Sequence, residues 1–294
     1  FRSFVIPSAL PKPVMLILIV ISFCIFLFRI LCATKSTQYF YAYRFIIVHS
    51  KTLVKSFFCC YNRKKFQPAE HKKGVPTMAF DGITIAAMVS ELNKNLSGGR
   101  INKIAQPEND ELLITGKGAN GQKRLLLSAS ASLPLIYFTA KNRISPLTAP
   151  NFCMLLRKHI GSARITAIRQ PGLERVVEFE LEHLNELGDV CHKILIMELM
   201  GKHSNIIFCD DQGMILDSIK HVSCNVSSVR EVLPGRPYFI PHTQDKQDPL
   251  TISREDFLEK VCGRSGAISK ALYQTLTGLS PVMAQEICYR AGVD

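Results

Sequence analysis

Asn151-Phe-Cys-Met-Leu-Leu-Arg157-Lys158-His159-Ile160 is followed by Gly172-Leu-Glu174-Arg175-Val-Val-Glu-Phe-Glu-Leu-Glu-His183, and then by Glu198-Leu-Met-Gly201-Lys202-His203-Ser204-Asn205-Ile-Ile207. Within this one stretch the period of the apolar residues changes from helical to strictly alternating. Asn151 to Ile160 spaces Phe152, Leu156 and Ile160 on one face of a helix and ends in a basic triplet. From Arg175, Val177, Phe179 and Leu181 point one way, while Glu178, Glu180 and Glu182 point the other. That is a strand with one core face and one solvated face. The polar groups gather where these elements begin and end, which is where a rigid scaffold presents chemistry to a partner.

Outward from this stretch the pattern repeats on both sides. Before it, Gly82 to Leu96 carries Ile83, Ile85, Met88, Val89, Leu92 and Leu96 at helical spacing and is closed by Ser97-Gly98-Gly99. Strands are expected at Arg100–Ile104, Glu111–Thr115, Lys123–Ser128 and Leu135–Thr139, separated by turn residues that include the run Gly116 to Gly121. Pro150 stands at the first turn of the helix that follows, and Gly161 closes it. After Arg175–His183, strands are expected at Lys193–Met200, Asn205–Cys209 and Met214–Ile219, with Asp210-Asp211-Gln-Gly213 as a hairpin turn. Pro234-Gly235-Arg-Pro237 and Pro241 to Pro249 read as a boundary loop. Beyond it come three helices: Ser253 to Val261, Ala267 to Leu276, and one begun by Ser280 as cap and Pro281 as first residue. The fold class is α+β: two antiparallel meanders packed as a sandwich with flanking helices, then a helical region. The domains expected are 78–245 and 246–294. An end at Asp294, just after Gly292, is abrupt for a helical domain, so a truncated region is expected there.

The chain of 294 residues has a formal charge of +12. Residues 1–77 hold 12 of the 36 Lys/Arg and one of the 24 acids, whereas the rest carries 24 cations against 23 acids. Any RNA contact made by the larger part must therefore come from local clusters and not from bulk charge. The first segment has an apolar run from Val14 to Phe28 that Ile30, Leu31 and Ala33 extend, so residues 14–33 are one reading as a membrane anchor. The other reading is translated upstream DNA. The composition is that of A/T-rich codons, and Lys72-Lys73-Gly74-Val75 can be encoded by a ribosome-binding sequence just ahead of Met78, the expected start. Ten cysteines form no CxxC pair, and the six after Met78 sit mostly among apolar neighbours, as buried free thiols do.

Several stretches together resemble the NFACT family. They are Met78-Ala-Phe-Asp81-Gly82, Gly99-Arg100-Ile-x-Lys103-Ile-x-Gln106-Pro107, Phe152 to His159, Gly172-Leu-Glu174-Arg175, Glu198 to Asn205, Val232-Leu-Pro-Gly235-x-x-Tyr238 and Gly278-Leu-Ser-Pro281. Bacterial members are ribosome quality-control factors of the RqcH type, also known as fibronectin-binding protein A homologues. The resemblance implies a fold similar to the N-terminal domain of the Fpg/Nei DNA glycosylases, followed by helix-hairpin-helix elements. It implies a cytoplasmic, ribosome-associated protein that binds the large ribosomal subunit carrying peptidyl-tRNA. It also implies recruitment of alanyl-tRNA and untemplated alanine tailing of the stalled chain. No small-molecule substrate, metal or nucleotide cofactor has a part in this, and the bond-making is the ribosome's, so the chain is not expected to be an enzyme.

The family's tRNA-recognising acidic-Arg pair falls on Glu174 and Arg175, with Glu where Asp is usual, and its early Asp falls on Asp81. An arginine fork suits a phosphate or base edge, and a carboxylate accepts from a base amine or orients the arginine. Arg157, Lys158, Lys202 and His203 are candidates for RNA phosphate contacts. Each has a plain alternative. Cations near a helix C-terminus favour the dipole, a Lys-His turn is often merely solvated, and Asp81 suits a helix cap. A glycosylase-lyase needs an amine nucleophile at the mature N-terminus, and Ala-Phe-Asp-Gly after Met78 offers none. A fibronectin-binding surface adhesin would need export, for which only the first segment holds a signal.

Overall fold

The computed structural model describes residues 80–241 and 245–293. The readings of residues 1–77, of the apolar run at 14–33 and of Met78 as a start lie outside the described residues. Helix α1 spans Gly82–Leu96 and α2 Asn151–Ile160, as the apolar spacing predicts. Nine strands form one antiparallel sheet: β1 Arg100–Ala105, β2 Glu111–Gly118, β3 Gly121–Ser128, β4 Leu135–Phe138, β5 Arg164–Arg169, β6 Val176–Leu184, β7 Val190–Glu198, β8 Asn205–Asp210 and β9 Ile215–Ser218. Their order is β4-β3-β2-β1-β5-β6-β7-β8-β9.

The two meanders are thus joined edge to edge. Arg100 pairs with Arg164, and the backbone bonds Gly98 N to Ile165 O, Ile101 N to Ala163 O and Ile165 N to Gly99 O complete the join. The sheet bends there, so that its two halves share a single core. Ile114 and Leu125 from one half, and Phe179, Leu181 and Leu195 from the other, line the same small internal space. Helices α1 and α2 contribute Leu92, Leu96, Phe152 and Leu156 to that core. At the open end Lys220 donates to the carbonyls of Ala129 and Ser204, tying the end of the second meander to the first.

Two expectations are corrected. Gly116 and Lys117 belong to β2 and not to a turn, leaving Ala119-Asn120 as the hairpin tip. Both residues pair with β1 on one side and β3 on the other, and two ladders of backbone hydrogen bonds outweigh the poor strand preference of glycine. Glu178, Glu180 and Glu182 are half-buried and not fully solvated. Burial, followed by the nearby Glu180 charge, raises the Glu178 pKa, although Arg169 offsets part of this.

The helical part comprises α3 (Arg254–Phe257) running into a π-turn at Leu258–Cys262, α4 (Ile268–Thr275) and α5 (Pro281–Ala291). Ser253 and Ser280 cap α3 and α5 through their hydroxyls. These helices have their own apolar cluster, which includes Phe257, Val261, Leu272, Leu276 and Ile287, and it reaches across to Ile83 on α1 and to Leu173. No helix among the described residues is long and apolar enough to cross a membrane.

Candidate functional site

Four segments distant in sequence meet at one place: the start of α1, the turn Pro171 to Arg175, residues 246–248, and the α4–α5 link. Gly82 N donates to Gly278 O at 2.9 Å. Gln170 Nε2 donates to Gly82 O and to Glu174 O, both at 2.8 Å. Gln247 is held by the link from both sides: its N–H donates to Thr275 O at 2.8 Å, and its carbonyl accepts from Thr277 N at 2.9 Å. The backbones approach so closely that only glycine fits. A Cβ on Gly82 would lie 2.0 Å from the Leu173 carbonyl oxygen, and one on Gly278 (φ 76°) would lie 2.4 Å from the same atom.

Asp81 is the N-cap of α1. Its Oδ1 accepts from Thr84 N at 2.9 Å and from Thr84 Oγ1 at 2.8 Å. Its Oδ2 accepts from Ser280 Oγ at 2.6 Å, and Ser280 in turn caps α5. One carboxylate thus ties the first helix of the sheet domain to the last helix of the chain, and both of its oxygens are occupied by protein donors.

Glu174 and Arg175 are half-buried, and among the described residues neither side chain makes a hydrogen bond or an ion pair. The backbone around them is fixed instead. Glu174 N donates to Pro171 O at 3.0 Å, and Arg175 O accepts from Leu199 N at 2.8 Å. Lys246 is their neighbour in charge. Its pKa is lowered by burial first and by the Arg175 cation second, while Glu174 pulls it back up in part. Two cations and one carboxylate therefore stand together on a rigid frame with their polar ends uncommitted. That set can grip a phosphate while the carboxylate accepts from a base amine or orients the guanidinium.

The bond from Leu199 to Arg175 sets the next turn, Gly201–His203, at the same end of the sheet. Lys202 and His203 are exposed on it. The two residues that follow are structural. Ser204 Oγ accepts from Met200 N at 2.9 Å, and Asn205 Oδ1 accepts from Ile206 N at 2.9 Å and from Lys220 N at 3.1 Å. Arg157 and Lys158 are exposed on α2, which packs over β1 and β6. Arg157 Nε donates to Ile104 O at 2.8 Å, and no bond among the described residues links this helix to Glu174 or Arg175. His159, beside them, is turned inward. Its ring lies 6.1 Å from that of Phe208 and 6.5 Å from that of His183. Burial, then the Lys158 charge, lowers its pKa.

Sequence reasoning missed Gln170 and Lys246, which sit in no periodic or motif context, and it missed the part that Glu198 plays. Glu198 is fully buried and pairs across the sheet with Val176, next to Arg175. Arg230 Nη2 holds both of its oxygens, at 2.6 and 2.5 Å, and Tyr238 donates to it at 3.0 Å. Arg230 also donates to Phe239 O at 2.6 Å, and its guanidinium lies 5.5 Å from the Tyr238 ring centre. Burial works against the Arg230 charge, but the Glu198 carboxylate outweighs it and raises the Arg230 pKa. Burial, then the Glu198 charge, pushes the Tyr238 hydroxyl up. The sequence signal for this cluster was limited to Glu198 and Tyr238 each standing in one of the motifs quoted above. Among the described residues no group of three or more His, Cys, Asp or Glu could hold a metal ion. The cysteines among them are free, and burial pushes Cys209 to about 12.

Residues 81–294 match the family model for the NFACT N-terminal and middle domains. The Rqc2 homolog RqcH of Bacillus subtilis is 42% identical over 219 residues, which cover 74% of this chain and 38% of that protein. The ribosome quality control complex subunit NEMF of Homo sapiens is 27% identical over 175 residues, covering 60% and 15%. Among solved structures, the N-terminal part of the fibronectin/fibrinogen-binding protein from Streptococcus suis superposes with a TM-score of 0.68 at 36% identity, covering 74% of this chain and 81% of that one. The N-terminal domain of fibronectin-binding protein PavA from Streptococcus pneumoniae gives 0.65 at 36% identity, covering 71% and 78%. The chain spans about two fifths of the length of the bacterial relatives it matches. Over the whole of the fold described above, this chain belongs to the NFACT family.

Proposed function

We propose that this chain is the RNA-facing part of a ribosome quality-control factor. It engages a large ribosomal subunit that still carries peptidyl-tRNA, and it holds an incoming tRNA, alanyl-tRNA by family resemblance, for untemplated tailing of the stalled chain. Arg175 and Lys246 take a tRNA phosphate, and Glu174 accepts from a base amine or aligns Arg175. Lys202 and His203 extend the contact along the same end of the sheet, and Arg157 and Lys158 meet RNA from a separate helix. Asp81 acts through position: a direct contact with tRNA would require it to release Ser280. The site makes no bond itself and works in the cytoplasm with no cofactor.

The observation that carries this reading is the uncommitted Glu174–Arg175 pair beside Lys246, on a frame closed by Gln170, Gly82 and Gly278. The relatives' names, ribosome quality control subunits among them, supply the setting. A chimera in which residues 78–294 replace the matching part of the Bacillus subtilis relative tests it. With Arg175→Ala the chimera should still sediment with large subunits but recruit no tRNA and add no tail. Normal tailing by that variant would defeat the assignment. The fibronectin-binding names of the solved relatives favour a second reading, adhesion. Binding of the chain to immobilised fibronectin that is unchanged by Arg175→Ala would support it.

A further inference from the structure

The hairpin that joins β6 to β7 reaches past the rest of the sheet. The last rows in which these strands have outer neighbours are Arg164–Glu182 on the β5 side and Lys193–Asp210 on the β8 side. Beyond them His183 pairs with Cys191 and Leu184 with Val190, and no other strand among the described residues flanks either pair. Residues 183–192 are thus a two-stranded ribbon closed by the turn Asn185 to Asp189. At about 3.3 Å per residue, its crown stands roughly 10 Å beyond the sheet. At its base the His159 ring of α2 meets the His183 ring edge-on, 6.5 Å between centres.

The turn is a rigid mount. Asn185 Oδ1 accepts from Leu187 N and from Asp189 N, both at 2.9 Å. Asn185 N donates to Asp189 O at 2.9 Å, Gly188 N donates to Asn185 O at 3.1 Å, and Asn185 Nδ2 donates to Asp189 Oδ2 at 3.2 Å. None of these bonds uses the side chain of Leu187, which is 87% exposed, while Leu184 is 66% and Val190 57% exposed. Leu184 and Val190 stand directly opposite each other and share a face of the ribbon, where their contact helps to hold its strands together. That accounts for the pair. It does not account for Leu187, an apolar side chain held out on a fixed crown.

The charge around it narrows what could meet it. From Glu182 to His192 the chain has three acids, Glu182, Glu186 and Asp189, and no Lys or Arg. Glu182 has Arg164 opposite it, but Glu186 and Asp189 are exposed and belong to no ion pair among the described residues. Lys158 and Lys193 stand around His159 at the base of the ribbon. An acidic crown repels the phosphates of RNA or of a lipid surface. Exposed apolar side chains with a polar rim mark a protein contact, and the sign of this rim calls for cations across from it. A turn already fixed also costs less to order on binding.

We propose that the β6–β7 crown docks on a partner protein, with Leu187 seated in an apolar pocket whose rim carries lysine or arginine facing Glu186 and Asp189. The probe is purified large ribosomal subunits, a choice that rests on the function proposed above. Leu187→Ala should weaken binding of the whole chain to them by about tenfold or more, as loss of a central anchor does. Glu186→Lys should weaken it too, whereas RNA at the crown would make that variant bind more tightly. Val282→Ala removes another exposed apolar side chain, from α5, and should bind as the parent does. All three variants should keep the parent's unfolding midpoint. The photocrosslinker p-benzoylphenylalanine placed at position 187 should join the chain to a subunit protein. Parent affinity in Leu187→Ala, tighter binding by Glu186→Lys, or an adduct to ribosomal RNA or to a second copy of the chain would overturn the proposal. A parent chain that leaves the subunits unbound would overturn the ribosomal reading and this partner with it. Subunit binding that Leu187→Ala leaves unchanged would overturn this inference alone, so the two failures are separable.

Discussion

The two meanders have the same construction and opposite outer faces. The second buries its outer face. Val176, Ile196, Ile207, Cys209 and Ile215 lie beneath Val222, Val232, Tyr238 and Ile240 of the returning 221–240 segment, bolted down by the Glu198–Arg230–Tyr238 cluster. The first carries exposed cations at Arg100, Lys103 and Lys117 beside a small buried cluster of Ala105, Leu113 and Leu126, and its row through Arg100 runs on to Arg164 and then Glu182. The second face uses a buried ion pair to hold a covering segment, and the first leaves its cations exposed and outside the ion pairs of the described residues. The site at Glu174 and Arg175 stands at the edge of the covered face. Val176 starts the strand that pairs with Glu198, so the clamp stiffens the platform from which Arg175 projects.

The difference can be broken from either side. The largest effect is expected at the clamp. Glu198→Ala leaves Arg230 charged and without its carboxylate in a buried place, which costs about 3–5 kcal/mol. The urea unfolding midpoint should fall accordingly, and a loss below about 1 kcal/mol would show that the 221–240 segment is not held by this pair. On the first meander's outer face, Lys117→Ala/Arg164→Ala should shift stability by no more than about 0.5 kcal/mol per site, as exposed surface positions do. A large loss there would mean that these cations serve the fold.

The smallest effect separates covered from open within one strand. The Glu178 pKa is raised, chiefly by burial and then by Glu180. The folded chain therefore holds that proton more tightly than the unfolded one does. Its contribution is most favourable below the unfolded value, about 4.3, and is lost as pH rises through the folded value. Glu178→Gln should thus stabilise the chain at pH 7, with the gain fading at about pH 4 and below. A gain that is equal at both pH values would contradict burial as the cause.

Much of this was legible in the sequence where the pattern is local. The apolar spacing of α1 and α2, the alternation through β6, the Asp210–Gly213 turn and the Ser280-Pro281 start of α5 all stand as read. What was not legible depends on long-range pairing. Gly116-Lys117 read as a turn because glycine is a poor strand former, and only the two flanking ladders make it a strand. The edge-to-edge join of β1 with β5, one ladder pair with three flanking backbone bonds, leaves no periodic signal. At the candidate site, Glu174 and Arg175 were singled out by resemblance to a family motif. Lys246 and Gln170 could not be found, since what brings them there is the packing of Gly82 and Gly278 on Leu173, a contact between residues nearly two hundred positions apart in part of its span. The row Lys117–Arg100–Arg164–Glu182 was invisible for the same reason: its members become neighbours only through register.

The central claim is that Arg175 and Lys246 hold tRNA together while Glu174 orients them. Its most direct measurement is tRNA affinity at fixed salt for Arg175→Ala, Lys246→Ala and the double variant, each checked for an unchanged unfolding midpoint. The account predicts a loss of roughly 1–3 kcal/mol for each single change, as for a lost contact to a phosphate or base. It also predicts a double loss smaller than the sum, because both cations serve one phosphate. Unchanged affinity in Arg175→Ala, or losses that add in full, would contradict it.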